Sequence, residues 1–275
     1  MPELPEVETI RRGLRPILEG QKLISVIVRR GNLRIPFPKN FSKKLVGKKI
    51  ISLKRRAKYL LMHIEDGDVV IMHLGMSGNF QILKGDISKP GKHDHVDFCV
   101  PKNIVIRYND PRRFGLMTLT RENELAIHNL LKFIGPDPLE NDFSYTKFSE
   151  TLARRKITIK AALLDQKIIA GLGNIYASEC LFRSGILPTR MANSIISVEL
   201  KKLTASIKIV LMEAIEAGGS SLNDYTKPDG NLGYFQNNFR VYGKENEVCS
   251  NCLLTEIRKI NQSGRSTFFC PICQK

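Results

Sequence analysis

The first residues of the chain combine a potential nucleophile with two acids, in the sequence MPELPE. Pro2 is small enough for the initiator Met1 to be removed, which would leave its secondary amine as a free N-terminus. An α-amino group titrates near about 8, and the positive end of a helix dipole lowers its pKa further. Such an amine can attack an electrophilic carbon and form an iminium (Schiff base) intermediate. Glu3 and Glu6 are placed to transfer protons in that reaction.

The same residues also fit a purely structural helix start. Proline favours the first helical turn, and glutamates there complement the helix dipole. A retained Met1 would also turn the nitrogen of Pro2 into an amide with no nucleophilic power. The N-terminal residues alone therefore leave both interpretations open.

Four of the six cysteines lie near the C-terminus as two C-x-x-C pairs, separated by 17 residues. This spacing is typical of a four-thiolate zinc site, which has no open coordination position and is therefore structural. The alternative is a pair of disulfides, which a cytosolic chain disfavours. Cys99 and Cys180 are isolated and are expected to be small buried apolar residues.

The net charge of the chain indicates which class of partner it binds. The chain has 275 residues, with 43 Lys and Arg against 27 Asp and Glu and a net charge of +16. Such an excess is typical of proteins that bind nucleic acid, and less often of proteins on anionic membranes. No apolar run has the length of a membrane span, and the N-terminus lacks the basic and apolar regions of a signal peptide. We therefore expect a cytoplasmic protein that binds nucleic acid and no membrane.

The first half of the chain is predicted to form one helix followed by strands. Apolar residues at Val7, Ile10, Leu14 and Ile17 make one stripe, which predicts a helix over residues 5–18. Short β-branched runs between turn residues predict a β-sandwich. The predicted strands are residues 23–28, 50–53, 59–64, 69–74, 96–100, 104–108 and 116–119.

After residue 138 the hydrophobic period becomes helical. Helices are predicted over residues 158–164, 174–183 and 197–217, the first two capped by Thr158 and Asn174.

Two further segments follow these helices. Residues 218–243 are polar and glycine-rich, which predicts a long mobile loop, and loops of this length are usually functional. Residues 257–269 predict a hairpin in the cysteine module, with Arg265 near its tip.

Three stretches could contact nucleic acid. Residues 54–58, KRRAK, would either contact phosphates or form a solvated basic edge that discourages strand pairing. Met76 and Phe114 lie on predicted turns beside glycines or arginines. Such residues are often half-buried core residues, but they can also be wedges that unstack bases while an arginine such as Arg112 fills the gap.

Five motifs stand in order along the chain: PELPEVET at residues 2–9, RAKYL at 56–60, HLGMSG at 73–78, GNIYA at 173–177, and the terminal cysteine module. Together they resemble the bacterial formamidopyrimidine-DNA glycosylases, and the resemblance extends from residue 2 to the last cysteine. It implies a bifunctional DNA glycosylase and abasic-site lyase of base excision repair. The implied substrates are oxidised purines in double-stranded DNA, chiefly 8-oxoguanine and formamidopyrimidines.

The resemblance implies roles for four catalytic residues. Pro2 would attack C1′ of the damaged nucleotide, and Glu3 would be the acid for the leaving group. Lys58 corresponds to the lysine associated with β-elimination, although phosphate binding would also explain it. Arg265 corresponds to the arginine of δ-elimination and phosphate contact. Cations at these places would stabilise the expelled phosphate oxyanions.

The resemblance also implies a DNA-binding surface and a lid. Residues 218–243 would cover the extruded base, with Glu6 below as a base-pocket residue. Met76, Arg112 and Phe114 would fill the gap left by the flipped nucleotide. The other implied DNA contacts are His73, His93, Lys156, Lys160 and Asn174.

The implied fold is α+β and multidomain. Residues 1–135 would form a β-sandwich with an N-terminal helix, residues 136–243 a helix-two-turn-helix domain with the lid, and residues 244–275 a zinc finger with a β-hairpin. We expect a monomer with one structural Zn²⁺, held by Cys249, Cys252, Cys270 and Cys273.

Two other functions remain open on the sequence. Endonuclease VIII, the sister enzyme for oxidised pyrimidines, uses the same chemistry, but Leu4, the Met76 loop and the long lid favour the purine enzyme. A zinc-ribbon protein that binds nucleic acid without catalysis would explain the charge and the cysteines. It would give no reason for a proline beside Glu3 at the N-terminus.

Overall fold

The structure, a computed structural model, describes residues 1–85, 87–220, 228 and 233–275. These residues form two compact units. The first consists of Met1–Lys132 with Ala217–Gln236, and the second of Phe133–Glu216 with Asn237–Lys275. The three domains expected from the sequence stay a prediction. In the described residues, no helix has the length and apolarity needed to cross a membrane.

The first unit contains two helices and two four-stranded antiparallel sheets. Its helices are α1 (Leu4–Leu18) and the short α2 (Phe41–Leu45), and a 3-10 segment covers Glu122–Ile127. Its strands are β1 (Ser25–Val28), β2 (Ile50–Arg56), β3 (Tyr59–Ile64), β4 (Asp68–His73), β5 (Asn79–Lys84), β6 (Asp94–Val100), β7 (Ile104–Asn109) and β8 (Leu116–Arg121). The strand orders in the two sheets are β1-β6-β7-β5 and β2-β3-β4-β8.

The core of this unit lies between α1 and both sheets. Val7, Ile10 and Leu14 are buried in one cluster with residues such as Leu60 from one sheet and Phe98 from the other. Burying a side chain of this size contributes roughly 1.5–3 kcal/mol. The predicted apolar stripe and β-sandwich are therefore confirmed.

The second unit is helical and ends in a hairpin. Its helices are α3 (Tyr145–Ala153), α4 (Ile159–Leu164), α5 (Asn174–Ser184) and α6 (Ser197–Glu216), with 3-10 segments at Ala192–Ser194 and Phe235–Asn238, the second of which begins in the first unit. Strands β9 (Arg258–Gln262) and β10 (Arg265–Phe269) pair antiparallel, so Arg265 does stand at the hairpin tip.

One of the two predicted helix caps is correct. The hydroxyl of Thr158 accepts a hydrogen bond from the backbone N–H of Ala161 at 3.3 Å and caps α4. The cap of α5 is Gly173, and Asn174 is the first helical residue. The prediction of Asn174 as a cap was wrong because its side-chain amide is engaged elsewhere, on the carbonyl of Ser266.

Three elements were not predicted from the sequence: β5, α2 and α3. In β5 only Phe80 and Ile82 alternate with polar neighbours, and in α3 only Phe148 and Leu152 are buried, so each hydrophobic pattern is too short to detect. The predicted mobile loop begins after α6 at Gly218 and Gly219, both with positive φ. Its residues 221–227 and 229–232 lie outside the described residues.

An ion cluster attaches α1 to β2. The carboxylate of Glu8 accepts hydrogen bonds from Arg11 at 2.7 Å, Arg12 at 3.0 Å and Arg55 at 3.1 Å. Burial raises the pKa of Glu8, but the hydrogen bonds and charges of these arginines outweigh burial and lower the pKa from 4.5 to about 2. The charged carboxylate therefore stabilises the packing of α1 on the sheet.

This cluster predicts a specific pH dependence. Because the pKa of Glu8 is lower in the folded state, its contribution to stability is complete above about pH 4.5 and is lost as the pH falls towards about 2. We expect Glu8→Gln to lower the free energy of unfolding at pH 7 by up to about 3 kcal/mol, and by progressively less below pH 4.5. Urea denaturation with hydrogen exchange at the amides of β2 and β3 measures this.

The matched control is Glu150→Gln, which alters an exposed glutamate on α3 and should leave both curves unchanged. A deficit in Glu8→Gln that is the same at pH 7 and pH 2.5 would contradict the role given to the carboxylate.

Candidate active site and nucleic-acid interface

The first turn of α1 buries the residues with potential chemistry. Pro2 is buried, and Glu3 and Glu6 are each only 2% exposed. Oε2 of Glu6 accepts the N–H of Glu3 at 2.8 Å, and its Oε1 accepts the N–H and the hydroxyl of Ser220 at 2.9 and 3.0 Å. Glu6 thus joins the helix start to the beginning of the predicted lid. Met1 is exposed, which leaves it accessible to removal.

Lys58 lies in the turn between β2 and β3, directly before Tyr59. Ala57 has a φ of 54°, a conformation that a non-glycine residue adopts at a cost and that clusters at functional sites. Arg55 donates to the carbonyl of Ala57 at 3.1 Å and also binds Glu8, so it fixes this turn against α1. Lys58 is only 7% exposed, and buried lysines are rare unless they are paired or functional.

Arg55 corrects the interpretation of the KRRAK stretch. Both interpretations of that stretch placed its cations outward, on phosphates or in solvent. The side chain of Arg55 is 5% exposed and forms an ion pair inside the unit. One of the four cations therefore organises the site instead of facing a ligand, and its charge is already balanced by Glu8.

His73 is held as a neutral ring. Burial, followed by the charges of Arg34 and Lys58, lowers the pKa of His73 from 6.5 to about 3. Its Nδ1 accepts the N–H of Gly75 at 2.9 Å, so the neutral ring carries its proton on Nε2 and can donate a hydrogen bond. Arg34 was not identified from the sequence, although two arginines stand close before it, at positions 29 and 30.

The two loops predicted to carry wedges meet in the first unit. Met76 is half-buried on one loop, and Arg112 and Phe114 are exposed on the other. The guanidinium of Arg112 lies 5.0 Å from the ring centre of Phe114. The two loops are linked through Asp110, whose role the sequence did not reveal.

His93 lies beside these loops. It is half-buried, and its carbonyl accepts the N–H of Asp110 at 3.0 Å. The structure thus brings His73, His93 and the three wedge candidates into one region of the first unit.

In the second unit, predicted DNA contacts converge next to Arg265. The ammonium of Lys160 donates to the carbonyl of Ser266 at 3.0 Å and to the hydroxyl of Thr267 at 2.6 Å. The amide of Asn174 donates to the same carbonyl at 2.9 Å. Lys160 is only 1% exposed, so its ammonium positions the hairpin, and a direct phosphate contact by it stays a prediction. Arg265 and Lys156 are exposed.

The four terminal cysteines form a compact cluster with all sulfurs within 4.8 Å of one another. Sγ of Cys249 lies 3.8 Å from that of Cys273, and Sγ of Cys252 lies 3.7 Å from that of Cys270. A disulfide would require about 2.05 Å. Sulfurs around a tetrahedral metal with bonds of about 2.3 Å stand about 3.8 Å apart, so the cluster fits a metal ion and not two disulfides.

Comparison with known proteins decides the family. Residues 1–117 match the model of the formamidopyrimidine-DNA glycosylase N-terminal domain, and residues 134–226 match the model of the H2TH domain of the same glycosylase. The chain belongs to the formamidopyrimidine-DNA glycosylase family. The resemblance inferred from the five motifs is confirmed, together with the fold that it implied.

Relatives in this family match the chain along its whole length. A formamidopyrimidine-DNA glycosylase of Azorhizobium caulinodans is 46% identical, with 100% of both chains covered. The Lactococcus lactis enzyme in complex with DNA containing N7-benzyl-Fapy-dG has a TM-score of 0.91 and 39% identity, with 100% of both chains covered. The same enzyme in complex with abasic-site DNA has a TM-score of 0.91, with 99% of both chains covered.

The position of Lys160 leads to a prediction about the hairpin. Lys160→Met should leave the half-buried carbonyl of Ser266 and the buried hydroxyl of Thr267 without this donor, at a cost of about 1–3 kcal/mol. We expect faster amide hydrogen exchange in β10, measured by mass spectrometry. Lys156→Met, which alters an exposed lysine, should leave this exchange unchanged. Normal protection of β10 together with weakened DNA binding in Lys160→Met would instead indicate a direct phosphate contact.

Proposed function

We propose that this chain excises oxidised purines from double-stranded DNA and cleaves the strand at the resulting abasic site, with Pro2 as the nucleophile. Membership of the family makes it a DNA glycosylase and abasic-site lyase of base excision repair. We choose Pro2 as the nucleophile because Pro2 and Glu3 are buried together at the start of α1. Glu6 holds that turn in place through the N–H of Glu3. The family's solved complexes with Fapy-dG and abasic-site DNA support the substrate class.

The first step is base excision. Once Met1 is removed, the lone pair of the Pro2 nitrogen attacks C1′ of the damaged nucleotide, and the glycosidic bond breaks. Its electron pair leaves with the base, which gains a proton. The nitrogen of Pro2 then loses its own proton, and its lone pair opens the sugar ring at O4′ to give an iminium between Pro2 and C1′. The base and O4′ each require one proton: the amine supplies one of them and Glu3 supplies the other.

The second step is strand cleavage. The iminium draws electrons from the sugar, so a proton leaves C2′ and the 3′ phosphate is expelled by β-elimination. Loss of a further proton then expels the 5′ phosphate by δ-elimination, and hydrolysis of the iminium restores the amine. Lys58 in the first unit and Arg265 in the second stabilise the negative charge that develops on the phosphates.

Each unit supplies groups that suit a DNA backbone. In the first unit, the neutral His73 offers an Nε2–H donor and lies within the electrostatic influence of Arg34 and Lys58. In the second unit, Arg265 is exposed beside the hydrogen bonds that Lys160 and Asn174 make to the hairpin. The net charge of +16 adds a long-range attraction to DNA that salt would weaken. The substrate is chromosomal DNA, which lies in the cytoplasm of bacteria. We therefore propose a cytoplasmic location.

We assign the metal of the cysteine cluster as one structural Zn²⁺. Four thiolates in a tetrahedral arrangement suit zinc and leave no position for a reacting group, so the ion takes no part in the chemistry. Its effect is to fix the end of the chain around the β9–β10 hairpin, which presents Arg265.

Loss of the metal should weaken DNA binding and leave the β-sandwich folded. We expect one zinc per chain by elemental analysis, and loss of that zinc in Cys249→Ser with at least about tenfold weaker DNA binding and lyase activity. Hydrogen exchange in β2–β4 should remain normal. Cys99→Ser, a change in the sandwich, is the control for loss of a thiol. Unchanged DNA affinity in zinc-free Cys249→Ser would contradict this role.

Excision assays test the proposed function itself. On duplex DNA with 8-oxoguanine opposite cytosine, we expect release of the base followed by strand cleavage, and much slower release of thymine glycol. Glu3→Gln should reduce base release by about 10²–10⁴-fold and affect cleavage of a preformed abasic site less, because that site has no base to protonate. Glu150→Gln is the control.

Two results would overturn the proposal. Faster release of thymine glycol than of 8-oxoguanine would favour the endonuclease VIII-like alternative. Strand cleavage that is unaffected by the double change Pro2→Gly with Glu3→Gln would mean that a different activity was being measured.

A further inference from the structure

One buried carboxylate joins the two loops that carry the proposed wedge. Asp110 is 0% exposed. Its Oδ1 accepts the hydroxyl of Ser77, on the Met76 loop, at 2.6 Å. Its Oδ2 accepts the N–H of Gly115, on the Phe114 loop, at 2.8 Å and the hydroxyl of Tyr108 at 3.2 Å. A single side chain therefore receives hydrogen bonds from both loops.

The backbone of Asp110 and the hydroxyl of Ser77 extend this connection. The carbonyl of Asp110 accepts the N–H of Arg113 at 3.2 Å and lies 2.9 Å from Nε2 of the buried His95. Oγ of Ser77 accepts the N–H of Arg112 at 3.1 Å while it donates to Asp110. Met76 is adjacent to Ser77, and Phe114 is adjacent to Gly115, whose N–H binds Asp110. Arg112 binds Ser77 through its own N–H.

Close packing fixes the Met76 loop and the Phe114 loop relative to each other. Gly75 has a φ of 67°, and a Cβ there would collide with the backbone of Phe114 and Gly115. A Cβ at Gly115 would collide with the hydroxyl of Tyr108. Arg113 has a φ of 60°, a conformation that surrounding contacts must enforce. The loops cannot slide past each other without breaking the hydrogen bonds to Asp110.

We propose that Asp110 is a positioning residue that sets Met76, Arg112 and Phe114 in their wedge arrangement before DNA binds. This inference rests on the proposed function, because it concerns the step in which the damaged nucleotide leaves the helix. A preorganised wedge enters the base stack without first ordering two loops, so less of the binding free energy is spent on conformational entropy. Asp110 itself touches neither the sugar nor the base.

The test compares two DNA substrates that differ in the need for unstacking. The first is duplex DNA with 8-oxoguanine next to 2-aminopurine, whose fluorescence reports unstacking in a stopped-flow instrument. The second is a single-stranded oligonucleotide with an abasic site, which requires chemistry but no wedge. Asp110→Asn keeps the shape of the side chain, but its amide nitrogen cannot accept a hydrogen bond.

We expect Asp110→Asn to slow the fluorescence change and base release on the duplex by about tenfold or more. Cleavage of the single-stranded abasic site should stay within about twofold of the wild type, a difference of about 0.4 kcal/mol in activation free energy. Ser77→Ala removes the hydroxyl that connects the Met76 loop to Asp110 and to the N–H of Arg112, and it should act in the same direction. It decides the question if Asp110→Asn does not fold.

Asp97→Asn is the matched control. Asp97 is also a buried carboxylate of the sandwich, but it pairs with Arg29 and Arg107, away from both loops. It should not slow the fluorescence change.

Three outcomes separate the hypotheses. Wild-type rates on the duplex in both Asp110→Asn and Ser77→Ala would overturn the positioning role, as would an equal loss on both substrates. Failure of the wild-type protein to release 8-oxoguanine or to cleave the abasic site would instead overturn the proposed function.

Discussion

Burial of the first turn of α1 is the constraint on which both the fold and the proposed chemistry depend. A proline amine can serve as a nucleophile only if the chain end is fixed, and chain ends are usually poorly ordered unless they are tied down. Glu6 fixes this end through the N–H of Glu3 and through Ser220. Glu8 fixes the next turn through Arg55, which in turn holds the carbonyl of Ala57 beside Lys58. The interactions that stabilise the helix are therefore the ones that set the geometry of the site.

A similar arrangement appears in both units: polar side chains that are buried or half-buried hold the segment that carries an exposed candidate residue. Asp110 joins the two loops of the proposed wedge in the first unit, and Lys160 and Asn174 meet at the carbonyl of Ser266 beside Arg265 in the second. Leaving a buried polar group unpaired costs free energy, so these contacts favour one arrangement of the segments that they join. They let exposed side chains such as Phe114 stay presented to a ligand although loops carry them. Part of the large positive charge thus serves inside the protein, as Arg55 and Lys160 show.

The sequence predicted what is local, and missed what depends on distant residues. The stripe through Val7, Ile10 and Leu14 and the alternating strands predicted α1 and the sandwich, and the cysteine spacing predicted the cluster of four thiols. The link between Ser77 and Asp110 joins residues 33 apart, and no local pattern reveals it. Asn174 resembled a cap because amide side chains favour that position, yet a strand 92 residues away holds it. The family motifs pointed to candidate residues, but not to the fact that two of them, Lys160 and Asn174, bind another part of the chain.

Borohydride trapping followed by peptide mapping tests the central claim, that the amine of Pro2 forms the covalent intermediate. The substrate is duplex DNA with one 8-oxoguanine opposite cytosine, and the protein is first shown by mass spectrometry to lack Met1. Reduction converts the transient iminium into a stable adduct. We expect that adduct on the nitrogen of Pro2. An adduct on Lys58, or none at all, would contradict the claim.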